Sequence, residues 1–303
     1  SKELCDAMAI SRTAVWKHIQ TLMAKGYPIE ATPHHGYRLQ HGADVLDHHR
    51  LTEVLKDNTL ITTCHHLTSV NSTNSLAKTF VVEGSPEGTL IVADEQTAGR
   101  GRQQRTWYSL PQKGVFLSLT LRPTFSLPTA PKITLVASVA IAKTLCRYTD
   151  ARITIKWPND ILCEGAKIAG ILSEVMAEGQ EITAIIVGVG MNIAPMASVI
   201  DKIPYPITWL SAHTTNNIER IEIIKTFCDN FQEGYQRLVA TGDCAQDRTY
   251  VIENSATLSQ NVTIQTHVGT KIGKAIELLE DGALRLQYAD GTQETIYSGD
   301  IMP

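Results

Sequence analysis

Paired cysteine motifs, long apolar runs and phosphate-loop fingerprints are all missing from this chain, and each absence narrows what it can be. The six cysteines (Cys5, Cys64, Cys146, Cys163, Cys228 and Cys244) are scattered with no C-x-x-C spacing, which argues against a structural zinc knot and fits free thiols in a reducing cytoplasm. The longest apolar run, Ile133 to Ala142, falls well short of the roughly 20 residues a membrane span requires. No membrane role is expected. Neither "GRGRQQ" nor "GVGMN" completes G-x-G-x-x-G or G-x-x-x-x-G-K-[ST], so those nucleotide-binding loops are excluded on spacing. Three histidine doublets, His34-His35, His48-His49 and His65-His66, invite a metal reading. Neighbouring side chains on a strand point to opposite faces and rarely chelate, so no metal-ligand set is predicted. An initiator methionine is also lacking: the chain opens at Ser1 in what reads as the middle of a motif, and an N-terminally incomplete first module is expected.

What is present describes a multidomain α+β protein. A length of 303 residues with 43% hydrophobic and 19% charged content is ordinary globular material, enough for two or three domains. The net charge is −4, yet residues 1 to 40 hold five Lys/Arg against three acids, leaving +2 there and −6 for the remainder. If any part meets nucleic acid, it is this one. Its apolar residues Leu4, Met8, Ile10, Val15, Ile19 and Leu22 recur on the inner faces of two short crossed helices. Ser11 is placed to N-cap the second helix, leaving Arg12, Thr13, Trp16, Lys17 and Gln20 on its outer face. Gly36 supplies a hairpin turn after them. Such a winged helix-turn-helix can read a major groove, although basic helical pairs also serve as protein docking modules.

From about residue 60 to 253, β-rich runs at "TLIVAD", "VFLSLTL", "RITIKW", "KIAGILSEVM" and "EITAIIVGVGMNI" predict strands of one mixed sheet, covered by helices near 130–149 and 217–239. From about residue 254 the chain reads as short strands with Asp-Gly turns at "EDGA" and "ADGT", which predicts hairpins of a small β-barrel. The divisions are therefore 1–43, a linker over 44–59, 60–253 and 254–303.

The chemistry concentrates at strand ends. "ADEQTAGRGRQQRTWYSL" sets Arg100, Arg102 and Arg105 in a glycine-broken loop. Three close cations repel unless an anion lies among them. Gly99 and Gly101 are expected to open φ values closed to other residues and to admit a ligand closely, while the guanidinium forks suit carboxylate or phosphate. Trp107 could stack on a purine. A solvated loop with one packed tryptophan stays open as the alternative. "IKWPND" turns Lys156, Asn159 and Asp160 out of a strand at Pro158, "AKIAGILSE" starts the next with Lys167 and Gly170, and "GVGMN" ends another with Asn192. Each turn alone is a weak signal. Together on one sheet they are not.

Ser72-Thr73-Asn74, Gln96 to Arg102, Arg105 to Trp107, Lys156 to Asp160, Lys167 to Glu174 and Gly188 to Asn192 stand in an order and spacing that resembles the biotin protein ligases. With the helical module in front, the chain looks like the bifunctional class that joins ligase to biotin operon repressor. The resemblance implies a winged helix-turn-helix, a class II synthetase-like central domain and an SH3-like C-terminal barrel. It further implies that ATP and biotin, with Mg2+ on the nucleotide, give biotinyl-5'-AMP. Biotin then passes to a lysine of the biotin carboxyl carrier protein of acetyl-CoA carboxylase.

By the same resemblance Ser72, Thr73, Asn74, Gln96, Arg100, Gly101, Arg102, Lys167 and Gly170 hold biotin. Arg102, Arg105, Trp107, Asn159, Lys167 and Asn192 face the adenylate. Arg100, Arg102 and Lys167 stabilise the charge of the first step, and Asp160 orients or deprotonates the acceptor lysine. Its alternative is a carboxylate that pairs with Lys156 or caps the turn. The adenylate-bound protein would be a homodimer that sets Ser11, Arg12, Thr13, Lys17 and Gln20 against operator DNA in the cytoplasm. One departure stands out: Gln104 occupies a position where the family loop usually has glycine. A sensor that binds biotin or its adenylate without transfer, and a lipoate ligase of related fold, remain the rivals.

Overall fold

The computed structural model describes residues 2–24, 27–32, 36–39 and 44–302. His34 and His35 lie outside the described residues. Helices α1 (Lys2–Met8) and α2 (Arg12–Ala24) are followed by the antiparallel pair β1 (Ile29–Thr32) and β2 (Gly36–Leu39). Ser11 Oγ accepts the Ala14 amide at 3.2 Å, so its hydroxyl starts α2 as an N-cap. Val15 and Ile19 are buried, while Arg12, Thr13, Trp16, Lys17 and Gln20 are exposed along the outer face.

Residues 44–59, expected to form a linker, instead carry α3 (His48–Leu55). Asp47 caps it, its carboxylate accepting the Arg50 amide at 2.9 Å. Leu51 and Leu55, one turn apart, are buried in the main core with Leu46. The cap and the i,i+4 leucines are a helix signal that the polar "DHHR" obscures.

The central sheet runs β3 (Thr63–Leu67), β4 (Thr89–Ala93), β5 (Gly114–Leu121), β6 (Ile153–Lys156), β7 (Asp160–Cys163), β8 (Ala166–Glu178) and β9 (Glu181–Asn192) in chain order. In space the order is β3-β4-β5-β9-β8-β7-β6, with only β3 and β4 parallel. Helices α5 (Lys132–Leu145) and α6 (Arg220–Thr241) share the main core with Leu90, Val92, Leu117 and Val187 on one face. α4 (Thr73–Val82) packs on the other face, where Ala77 meets Ile91 and Ile186. α5 is apolar nearly all round because it lies between sheet and helices.

Register places the predicted site residues together. Leu67 pairs with Ala93, Ala93 with Phe116, Phe116 with Gly190, Gly190 with Gly170 and Gly170 with Asp160, forming one row across six strands. The arginine loop, the "KWPND" turn, the start of β8 and the end of β9 all sit at that end of the sheet.

After α7 (Ala245–Glu253) come β10 (Asn261–Thr266), β11 (Gly269–Leu278), β12 (Leu284–Gln287), β13 (Gln293–Ile296) and β14 (Asp300–Ile301). They form a five-stranded antiparallel sheet ordered β13-β12-β11-β10-β14. Both Asp-Gly dipeptides lie in its hairpin turns, with Gly282 and Gly291 at positive φ. The sheet is seated on the central domain: Trp157 Nε1 donates to Gly282 O at 2.9 Å and Lys156 Nζ to Ile301 O at 3.0 Å. Among the described residues no helix is long and apolar enough to cross a membrane.

Leu51→Ala should lower unfolding free energy by about 3 kcal/mol, the usual cost of a fully buried leucine. A loss under about 1 kcal/mol in chemical denaturation would mean α3 is a loosely held linker after all.

Candidate active site

The floor of the site is a patch of sheet without side chains. A Cβ on Gly190 would lie 2.4 Å from Trp107 Cε2, and one on Gly170 3.1 Å from Trp107 Cζ3. The indole therefore lies against the glycine row: a side chain at position 190 would collide with it outright, and one at 170 would press on it. Its Nε1 is buried without a hydrogen-bond partner among the described residues, an orphan donor that native folds seldom leave unsatisfied. Lys167 Nζ stands 5.3 Å from the Trp107 ring centroid and 5.3 Å from that of Tyr205, between two aromatic faces. The same ammonium pairs with Asp160 Oδ1 at 2.7 Å. Asp160 thus pairs with Lys167 and not with Lys156, the partner weighed from the sequence. The backbone of 206–208 fixes this lysine from the far side: Lys167 N donates to Pro206 O, and Thr208 N to Lys167 O, each at 2.9 Å. A small cavity of about 20 Å3 lies among Trp107, Lys167, Asn192 and Tyr205.

The second half of the site is built around the start of α4. Ser72 caps the helix, its Oγ accepting the Ser75 amide at 3.4 Å. Gln96 Oε1 accepts from Thr73 N at 2.8 Å and Thr73 Oγ1 at 3.1 Å, and its Nε2 donates to Ser109 Oγ at 2.9 Å. Ser118 Oγ lies 2.7 Å from Thr73 Oγ1 and 2.5 Å from Asn74 Oδ1. Asn74 Nδ2 donates to Leu172 O at 3.1 Å and Glu174 Oε2 at 2.8 Å. A Cβ on Gly188 would sit 2.2 Å from Asn74 Oδ1, so a second glycine admits this amide to the sheet. Burial alone would raise the Glu174 carboxyl. The hydrogen bonds from Lys78 and Asn74 outweigh it and hold the group below its usual range.

The arginines do not converge with Lys167. Arg100 Nη2 donates to Ser75 Oγ at 2.6 Å. Arg102 Nε and Arg105 Nη2 instead pair with the two oxygens of Asp300, at 3.2 and 3.0 Å. The reason is electrostatic: Asp160 neutralises Lys167 and Asp300 takes up both Arg102 and Arg105, cations that would otherwise repel one another, while Arg100 is held apart by the Ser75 hydroxyl. Arg102 also borders a groove of about 570 Å3 against β10 and residues 298–299. Lys156, at the same end, has its ammonium pushed below the usual lysine range by burial, with Lys167 and Arg105 adding to the effect and Asp160 and Asp300 opposing it.

The loop backbone differs from the expectation as well. The left-handed conformation falls on Gln103 (φ 51) and Gln104 (φ 59), not on Gly99 or Gly101. Gly101 is extended, and Gly99 is needed for close approach, since a Cβ there would lie 2.4 Å from Trp107 O. Asn159 and Asn192 serve backbone first: Asn159 Nδ2 donates to Ile171 O at 2.6 Å, and Asn192 Nδ2 to Thr208 O at 3.1 Å. Among the described residues no three His, Cys, Asp or Glu side chains gather as metal ligands. His65 lies tilted against Phe80 while His66 binds Asp94, so that doublet is split between two faces.

Comparison with known proteins decides the family. Residues 67–192 match the biotin/lipoate A/B protein ligase family, 1–38 an HTH domain and 257–302 the biotin protein ligase C-terminal domain. The chain is 35% identical over 302 residues to the bifunctional ligase/repressor BirA of Bacillus spizizenii, covering 99% of this chain and 92% of that one. The chain belongs to the bifunctional biotin ligase/repressors. Escherichia coli BirA is 30% identical over 193 residues, covering 64% of this ligase/repressor and 59% of its relative. In fold it is similar to a biotin protein ligase from Aquifex aeolicus solved in complex with biotin and ATP, at 24% identity and TM-score 0.67, covering 80% and 98% of the two chains.

Several residues of this ligase/repressor site escaped the sequence reading. Ser118 is, with Thr120, a buried polar position in an otherwise apolar strand, a signal in itself. Tyr205 and Asp300 belong to no motif and reach the site only through the fold.

Gly190→Ala should force the indole off the sheet and destabilise the fold by about 1–3 kcal/mol, as overpacking does. Tryptophan emission should shift to the red, and the shift should vanish when Trp107→Phe is added. Unchanged emission in Gly190→Ala would contradict the packing described.

Proposed function

We propose that the chain is a biotin protein ligase that also acts as a biotin-responsive repressor. It joins biotin to AMP and then transfers biotin to a lysine of the biotin carboxyl carrier protein. The observation that carries this reading is the pairing of an orphaned indole with an ammonium on a glycine floor, beside an amide-and-hydroxyl cluster at the start of α4. An apolar bicycle with a polar ureido edge and a carboxylate tail requires both halves, because its polar groups cost several kcal/mol if buried unpaired.

In this reading Ser72, Thr73 and Gln96 meet the ureido ring, with Asn74 anchoring α4 so that they stay in place. Gly101, Gly170 and Lys167 lie along the tail. The carboxylate oxygen attacks the α-phosphorus of ATP and pyrophosphate leaves. Lys167, Arg100 and Arg102 offset the repulsion between the two anions and stabilise the charge that builds up. Arg105, Trp107, Asn159 and Asn192 form the adenylate side. The arginines reach their roles by exchanging Ser75 and Asp300 for the ligand's oxygens. The neutral amine of the carrier lysine then attacks the carbonyl of the mixed anhydride and AMP leaves. Asp160 orients that amine and draws its proton toward the strand end. Magnesium arrives with the nucleotide.

The domain division 1–43, 60–253 and 254–303 serves the regulatory half. Ser11 starts the helix whose exposed Arg12, Thr13, Lys17 and Gln20 face operator DNA, and the adenylate-bound homodimer sets two such helices against a palindrome. The protein acts in the cytoplasm.

Biotin-dependent exchange of labelled pyrophosphate into ATP is expected. A sensor without transfer gives no exchange, and a lipoate ligase gives it only with lipoate. Asp160→Asn should slow transfer to the carrier at least about tenfold more than adenylate formation, the scale of a lost general base or orienting group. Equal losses in the two steps would remove Asp160 from the acceptor role.

A further inference from the structure

Behind the ligand loop lies a charged cluster that the reaction above does not use. Arg220, the first residue of α6, is 1% exposed. On one side its Nε meets Asp44 Oδ2 at 2.6 Å, its Nη2 donates to Asp44 O at 3.0 Å, and its backbone amide donates to Asp44 Oδ1 at 2.8 Å. On the other side its Nη1 donates to Asp94 Oδ1 at 2.9 Å, while His66 Nε2 lies 3.0 Å from the second Asp94 oxygen.

The two aspartates belong to different parts of the molecule. Asp94 directly follows β4 and stands two residues before Gln96. Its loop is zipped to the start of the α4 region by Val70 N to Glu95 O at 3.2 Å, Thr97 N to Val70 O at 2.9 Å and Ala98 N to Asn71 O at 2.8 Å. Asp44 lies between the β1–β2 hairpin and α3. There Val45 O accepts Arg50 Nη1 at 2.6 Å, Arg50 Nη2 pairs with Glu219 at 3.0 Å, and the Tyr27 hydroxyl donates to Asp47. One guanidinium thus spans the ligand loop and the segment that leads away from the N-terminal module. A planar fork with five donors can serve both aspartates at once, whereas a single ammonium cannot hold both geometries.

We propose that Arg220 is a positioning residue that fixes the 94–99 loop for biotin and couples the placement of that loop to the segment joining the N-terminal module to the ligase body. The inference rests on the ligase reading for its ligand, but the clamp itself does not. Because such coupling is reciprocal, ligand at the loop must also steady the Asp44 segment, and a change at Asp44 must be felt at the loop.

Asp44→Asn tests this on the full chain, because its carboxylate is 30% exposed and the variant leaves the Arg220–Asp94 pair in place. Hydrogen exchange is read without ligand, and biotin KM and kcat are read in pyrophosphate exchange. Amides of 95–101 should exchange at least about fivefold faster than in the wild type while those of α5 are unchanged. The biotin KM should rise at least about threefold with kcat within about twofold, a split that general destabilisation does not produce. Saturating biotin should slow exchange over residues 44–50 in the wild type and not in Asp44→Asn. Arg220→Lys should show the same loop effect, and if it fails to fold, Asp44→Asn decides alone. Loop exchange or biotin KM equal to the wild type in Asp44→Asn overturns the proposal. Should the wild type lack biotin-dependent exchange of pyrophosphate, the ligase reading falls, and ligand-free exchange at 95–101 alone supports or overturns the clamp.

Discussion

Two glycines paired across neighbouring strands, Gly170 on β8 and Gly190 on β9, set the condition on which the site depends. A sheet normally fills the space above its strands with side chains. Here the row is bare, and a flat ring can lie against backbone. Everything polar is then arranged around that bare patch: Lys167 above it, Asp160 at its edge, and the α4 start with Gln96 and Ser118 along the same face. Because side chains alternate along a strand, a slip of one residue between β8 and β9 would send Gly190 and Gly188 to the helix-covered face and close the site. The long antiparallel pairing of β8 with β9, together with α5 behind them, guards against that slip.

The cations are distributed by the same logic of local neutralisation. Lys167 is held by Asp160, while Arg102 and Arg105 are held by Asp300, which comes from the small C-terminal sheet. The guanidinium groups of Arg102 and Arg105 are partly exposed while Asp300 is buried, so one arginine can turn to an incoming anion at low cost only while the other keeps the buried carboxylate paired. An incoming carboxylate or phosphate can therefore compete for the guanidinium groups. Asp300 also ties the arginine loop to the C-terminal sheet, so that sheet takes part in shaping the site although it supplies none of its motif residues.

Much of this was legible in the sequence. Local signals gave the strand ends, the two helices on the covered face, the Asp-Gly hairpins and the exposed outer face of α2, because each depends on short-range patterning. The motif order brought Lys167, Asp160, Trp107 and the α4 start to one end of one sheet. What stayed hidden depends on distant pairing or on single residues. α3 was obscured because its cap and two leucines are set among histidines and other polar residues. Ser118, Tyr205 and Asp300 reach the site through register and chain return, which no local window carries. The loop conformation was misassigned to Gly99 and Gly101 because glycine suggests positive φ, whereas Gln103 and Gln104 adopt it and Gly99 serves close approach. The arginines were expected to converge on one anion, and the carboxylate that claims two of them lies nearly two hundred residues away.

The most direct measurement is a crystal structure of the full chain grown with biotin and a non-hydrolysable ATP analogue. The account predicts the biotin carboxylate and the α-phosphate beside the Trp107 indole that covers the Gly170–Gly190 pair, with Lys167 Nζ and the Arg102 guanidinium within hydrogen-bond reach of their oxygens and Arg102 withdrawn from Asp300. Ligand density elsewhere, with Lys167 still on Asp160 and Arg102 still on Asp300, would contradict it.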